Sequence, residues 1–91
     1  MNKRLSMNIS GRVQGVGFRY FVKKHANTLG VKGVVQNTEN GLVQVIAEGE
    51  EDVLKHLLKL CKEGSSFSKV TKIDSNWSDS LGEFNTFEIK S

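Results

Sequence analysis

Proline is absent from this 91-residue sequence, cysteine occurs once, at Cys61, and no stretch approaches the roughly 18 consecutive apolar residues that a bilayer-spanning helix needs. A single thiol cannot close an internal disulfide or supply a multi-thiolate metal site. Disulfide scaffolds and zinc knuckles are therefore excluded, and a reducing cytoplasm is the expected compartment. The start, Met1-Asn2-Lys3-Arg4, leads into alternating polar and apolar residues and lacks the continuous apolar core of a secretory signal. The sequons at Asn8 and Asn76 are accordingly expected to be accidental. Acidic residues are scarce in one half: positions 1 to 45 hold seven cations and one acid, Glu39, for a charge of +6, against −3 for the remainder. That asymmetry points to an anionic ligand near the N-terminal half or to a solvated basic face.

What is present is an ordinary globular balance, 37% hydrophobic and 25% charged, at a length that holds one domain, expected to span residues 1 to 91. Leu5, Met7 and Ile9 alternate with Ser6, Asn8 and Ser10, as in a strand with one buried face. From Phe18 the period changes. Phe18, Phe21, Val22, His25, Ala26 and Leu29 recur at helical spacing, and Gly30 stands where a helix-ending glycine belongs. Val31 to Asn37 and Leu42 to Glu48 are valine-rich and flank Thr38-Glu39-Asn40-Gly41, whose Asn-Gly pair predicts a hairpin with two positive φ angles. Glu50-Glu51-Asp52 then opens a second helix with its apolar stripe at Val53, Leu54, Leu57, Leu58 and Cys61, ended by Gly64. Val70 to Trp77 reads as a strand of poor alternation, and Phe87 with Ile89 as a short last one. The order βαββαβ predicts an α+β, ferredoxin-like split βαβ sandwich: a four- to five-stranded antiparallel sheet with two helices on one face.

Between the first strand and helix lies Gly11-Arg12-Val13-Gln14-Gly15-Val16-Gly17. Gly15 and Gly17 leave backbone N–H groups unobstructed by Cβ atoms, just before a helix start whose first amides lack intrahelical partners. Such a loop is an anion nest, although a tight turn that merely needs flexible glycines has the same composition. Arg19 favours the nest. A cation in the first helical turn faces the positive end of the macrodipole, at a cost of up to about 1 kcal/mol. A bound phosphate offsets that cost and accepts the planar guanidinium fork.

The run Gly11-Arg12-Val13-Gln14-Gly15-Val16-Gly17-Phe18-Arg19 resembles the loop motif of the acylphosphatase family, and Gly33 to Asn37 followed by Asn40-Gly41 resembles that family's second block. The resemblance extends from about Leu5 to Phe87-Glu88-Ile89. It implies the ferredoxin-like fold and cofactor-free hydrolysis of the carboxyl-phosphate anhydride of small acyl phosphates, with no metal. It implies phosphate binding by Gln14, Gly15, Val16, Gly17, Phe18 and Arg19, with catalytic roles for Arg19, on the phosphate, and Asn37, which positions water. Inorganic phosphate or sulfate would occupy the same cradle, and a monomer is expected. The family often carries Trp and Arg where this chain has Val34 and Gln36, and a proline where it has Ser65.

The remaining reactive groups read as structural. His25 lies along the apolar stripe, His56 on an exposed helix face, and Cys61 among leucines. There is no Gly-Lys pair for a Walker loop, and Tyr20 occupies the third glycine of a dinucleotide fingerprint. An RNA-recognition module shares the predicted fold and a basic half, but stacks bases on aromatics of its central strands. Here Phe18, Tyr20 and Phe21 fall on the loop and helix, so neither a nucleic-acid nor a membrane partner is expected. A regulatory or maturation module of the same fold, as found within larger hydrogenase-maturation and carbamoyl-transfer proteins, is the other alternative.

Overall fold

A computed structural model describes residues 2–90. Its first strand, β1, spans Asn2–Arg12 and is followed by helix α1 at Phe18–Leu29. Strands β2, Lys32–Asn37, and β3, Val43–Glu50, come next; helix α2, Glu51–Glu63, leads to β4, Lys69–Asp79, and β5, Phe87–Lys90. The strands form one sheet in the order β4-β1-β3-β2-β5. The ferredoxin-like α+β class is as expected from the periodicities.

Strand parity decides what the sheet buries. Leu5, Met7 and Ile9 of β1, Val43, Val45 and Ala47 of β3, and Val35 of β2 are each fully buried. They meet Phe18, Val22 and Ala26 of α1 and Leu54, Leu57 and Cys61 of α2 in one cluster. Each valine, leucine, isoleucine, methionine or phenylalanine among them, removed from water, stabilises the fold by about 1.5 to 3 kcal/mol. The alternate residues Ser6, Asn8, Gln36 and Gln44 lie on the other face, where Gln36 Nε2 donates to Gln44 Oε1 at 2.7 Å.

Both glycine stops are realised. At Gly30, φ 73°, the Val31 N–H reaches the Ala26 carbonyl at 2.8 Å, and the Gly64 N–H reaches Leu60 at 2.9 Å. Beyond Gly64 the Ser65 N–H donates to Ser68 Oγ at 2.8 Å, a bond that a proline in place of Ser65 has no hydrogen to make.

Three features differ from the sequence expectation. First, only four strands pair antiparallel; β5 joins β2 in parallel, Gly33 opposite Phe87. The cause is the route of residues 80 to 86. They leave β4 at one edge, cross the end of the sheet where β1 begins, and enter β5 at the other edge running the same way as β2. Second, the hairpin turn has a positive φ at Gly41 only, 87°, not at Asn40. Thr38 N–H closes on the Leu42 carbonyl at 2.9 Å, which makes a longer loop with one left-handed residue at its end instead of a two-residue turn. Third, Gly33, whose missing side chain reads in the sequence as relief of crowding near the site, lies at the opposite end of β2 from Asn37 and gives no such relief. A Cβ there would stand 1.9 Å from the Ile46 carbonyl oxygen, which explains the glycine by close packing of β2 on β3.

Candidate active site

At one end of the sheet β1 finishes, β2 finishes, β3 begins and α1 begins. The five residues between β1 and α1 are pinned at both ends by buried side chains, Val13 and Phe18, with Val16 packed partly against the core. Anchoring of this kind holds a loop in one shape without a ligand. Gly15 and Gly17 adopt left-handed φ angles of 73° and 77°, and nothing lies within 4 Å of where their Cβ atoms would stand. The space in front of the loop is therefore open.

Gly17 is the N-cap of α1 and has no side chain with which to cap it; the first turn holds no acid. The first helical bond runs from Phe21 N–H to the Gly17 carbonyl at 3.1 Å, so the N–H groups of Phe18, Arg19 and Tyr20 precede the helical ladder. Arg19 is half-buried and, among the described residues, makes no salt bridge. A positive helix end and a guanidinium thus stand together with no internal anion. Among the described residues this is the combination that leaves positive charge without a partner at a helix start.

Asn37 is the last residue of β2, paired with Val43, on the same face as Gly33 and Val35 and thus on the side of the helices. Its Oδ1 is buried and accepts no hydrogen bond. A buried acceptor without a donor costs about 1 to 3 kcal/mol, which a water or substrate hydrogen would recover. What brings this strand end to the loop is Gln14. Its Nε2 donates to the Thr38 carbonyl at 2.9 Å and to the Leu42 carbonyl at 2.8 Å. Both N–H bonds of the Gln14 amide are thereby used within the protein, which leaves its main chain, not its side chain, for a ligand. The amide's part in joining the two loops has no local mark in the sequence, because its partners lie 24 and 28 residues away.

The other titratable groups take no part in this arrangement. His25 packs its ring edge-on against Phe21, centroids 4.6 Å apart, and His56 is exposed. Cys61 is fully buried, and burial pushes its thiol up to about 12, far from the reactive thiolate range. Among the described residues no group of three or more His, Cys, Asp or Glu side chains converges, and no helix is long and apolar enough to cross a membrane. Val34 and Gln36, where the family often has Trp and Arg, lie on the sheet face away from the helices, so the substitutions leave Arg19 and Asn37 untouched.

The opposite end of the sheet is closed. Glu48, 5% exposed, accepts Arg4 Nε at 3.0 Å, the Leu81 N–H at 2.8 Å and the Gly82 N–H at 3.1 Å. Arg4 also pairs with Glu83 and lies over the Phe84 ring. Burial alone would raise the Glu48 carboxyl, but the Leu81 N–H, the Arg4 guanidinium and the Ser80 hydroxyl outweigh it and hold the group below the ordinary glutamate range.

Known proteins with this sequence and shape agree on a family. The acylphosphatase family model matches residues 5–89. An acylphosphatase of Salinibacter ruber is 42% identical over 88 residues, spanning 97% of this chain and 93% of its own. The crystal structure of acylphosphatase from Bacillus subtilis superposes with a TM-score of 0.94 at 42% identity, covering 98% of this chain and 99% of that one. The T. kodakarensis HypF structure contains a similar unit, TM-score 0.83 at 27% identity, where the match covers 98% of this chain but 12% of that longer protein. Matched along nearly its whole length in sequence and in fold, the chain belongs to the acylphosphatase family.

Proposed function

We propose that the protein hydrolyses the carboxyl-phosphate anhydride of small acyl phosphates, with the phosphoryl group held at the loop of residues 14 to 19. The observation that carries this reading is the open, positively charged start of α1, with Arg19 in its first turn and no acid or cap of its own. The family's activity, as named for its relatives, needs such a cradle.

The chemistry asks for little else. The carboxylate of an acyl phosphate is already a good leaving group, so the reaction needs positioning and charge stabilisation more than a strong nucleophile. N–H groups of residues 15 to 19 and the Arg19 fork hold the phosphoryl oxygens and neutralise charge as the loose transition state develops. Asn37 accepts a hydrogen bond from the attacking water at its free Oδ1 and aims the water's oxygen at phosphorus. An amide does not titrate, so Asn37 orients the water without deprotonating it, and a phosphoryl oxygen takes the proton. Water oxygen bonds to phosphorus as the anhydride P–O bond breaks, and the electron pair leaves with the carboxylate. The same cradle binds inorganic phosphate or sulfate.

Release of phosphate from acetyl or benzoyl phosphate, measured in EDTA, tests the reading. Metal-independent turnover well above the uncatalysed rate is expected; no turnover by the intact protein would refute it. A monomer in the cytoplasm is the accompanying expectation, to be checked by light scattering and fractionation.

A further inference from the structure

We propose that the Gln14 side chain is a positioning residue that sets Asn37 against the phosphate loop. The proposal rests on the water-positioning reading of Asn37 given above.

Gln14 opens the loop. Its amide does not merely touch the β2–β3 hairpin; it spans the neck. Asn37 and Val43 form the last pair of the two strands, and the carbonyls that Gln14 Nε2 grips belong to Thr38 and Leu42, the residues immediately after and before that pair. The neck is also closed from within, Thr38 N–H to the Leu42 carbonyl at 2.9 Å and Leu42 N–H to Thr38 Oγ1 at 3.0 Å. The hairpin therefore moves as a unit, and Gln14 fixes that unit to the loop. Two carbonyl acceptors also fix the amide's orientation, because its oxygen in the same place would face two other oxygens.

The loop has other anchors, Val13 and Phe18 in the core and α1 beyond, whereas nothing in Asn37's own side chain holds its buried Oδ1. Loss of the Gln14 bonds therefore displaces the water-positioning group more than the phosphate cradle. A displacement of about 1 Å in a positioned group lowers turnover by as much as about 100-fold.

Gln14→Glu keeps the shape but presents a carboxylate to two carbonyl oxygens. Gln14→Met keeps the volume and removes the donors, and carries the same expectation if the charged variant does not fold. For either, kcat on benzoyl phosphate falls by about tenfold or more while competitive inhibition by inorganic phosphate stays within about twofold. In an Asn37→Ala background the same change adds less than about twofold, because the group it positions is gone. Phosphate affinity falling in step with kcat would overturn the proposal, since Gln14 would then be holding the cradle. Normal kcat in Gln14→Met with Asn37→Ala inactive would overturn the clamp alone. Full activity of Asn37→Ala would instead refute the water-positioning reading, and the clamp's purpose with it.

Discussion

The two ends of the sheet use the same kinds of group to opposite effect. At the far end, where α2 starts, Glu51 and Asp52 sit in the first helical turn and face the positive pole of the dipole. At the same end, on the sheet face away from the helices, Glu48 accepts two backbone N–H groups and Arg4, and Arg4 has a second carboxylate in Glu83. At the site end, where α1 starts, the first turn carries Arg19 and no acid, and Asn37 Oδ1 is buried without a donor. Neither helix has a side-chain cap. One end is thus neutralised from within and closes the fold, joining β4 to β5 through the segment held on Glu48. The other keeps its positive charge unpartnered, and the phosphate proposed to bind there would remove that imbalance.

Breaking the site end produces the largest effect. Arg19→Ala is expected to lower turnover by about 100- to 1,000-fold and to weaken inhibition by phosphate, as loss of a preorganised donor does elsewhere. Asn37→Ala loses turnover while keeping phosphate affinity, and steady-state kinetics with phosphate as inhibitor separate the two.

Breaking the far end should cost stability instead. Glu48→Gln removes the charge that faces Arg4 and two N–H donors, a loss of about 2 to 3 kcal/mol in a urea titration, with benzoyl phosphate hydrolysis unchanged below the transition. The pH dependence has a definite sign. Because the folded carboxyl lies below the ordinary glutamate value of about 4.3, its stabilisation is complete above that pH and is lost as pH falls through the folded value. The wild type should therefore lose stability below about pH 4 more steeply than Glu48→Gln.

Making the ends alike sharpens the comparison with smaller effects. Tyr20, 75% exposed in the first turn of α1, replaced by Glu gives that helix the acid α2 has. The helix should gain about 0.3 to 1 kcal/mol in thermal unfolding while KM rises several-fold by repulsion of the phosphate. Glu51→Gln should lose a similar few tenths to about 1 kcal/mol and leave kcat/KM unchanged.

How much of this was legible in the sequence follows from how local each feature is. The two helices were, because a 3.6-residue stripe ending in Gly30 or Gly64 is written in adjacent residues. So was Arg19, a cation misplaced in a first turn. β4 runs further at both ends than Val70 to Trp77 because an edge strand mostly in solvent has few apolar positions to mark it; Val70 and Ile73 alone pack partly on the core. The parallel pairing of β5 was not legible, since the crossing segment is held by Glu48, 33 and 34 positions from the Leu81 and Gly82 amides that it accepts. Asn37 before a turn looks the same with or without a catalytic neighbour. Only the fold joins its neighbour Thr38, and Leu42 across the hairpin, to the loop through Gln14.

The central claim is that the site end alone is completed by phosphate. Titration of inorganic phosphate into 15N-labelled protein, followed by amide chemical shifts, tests it residue by residue. The account expects saturable shifts at Gly15 to Arg19, attenuated in Arg19→Ala, with the Leu81 and Gly82 amides unmoved. Shifts centred elsewhere, or none in the loop at saturating phosphate, would contradict it.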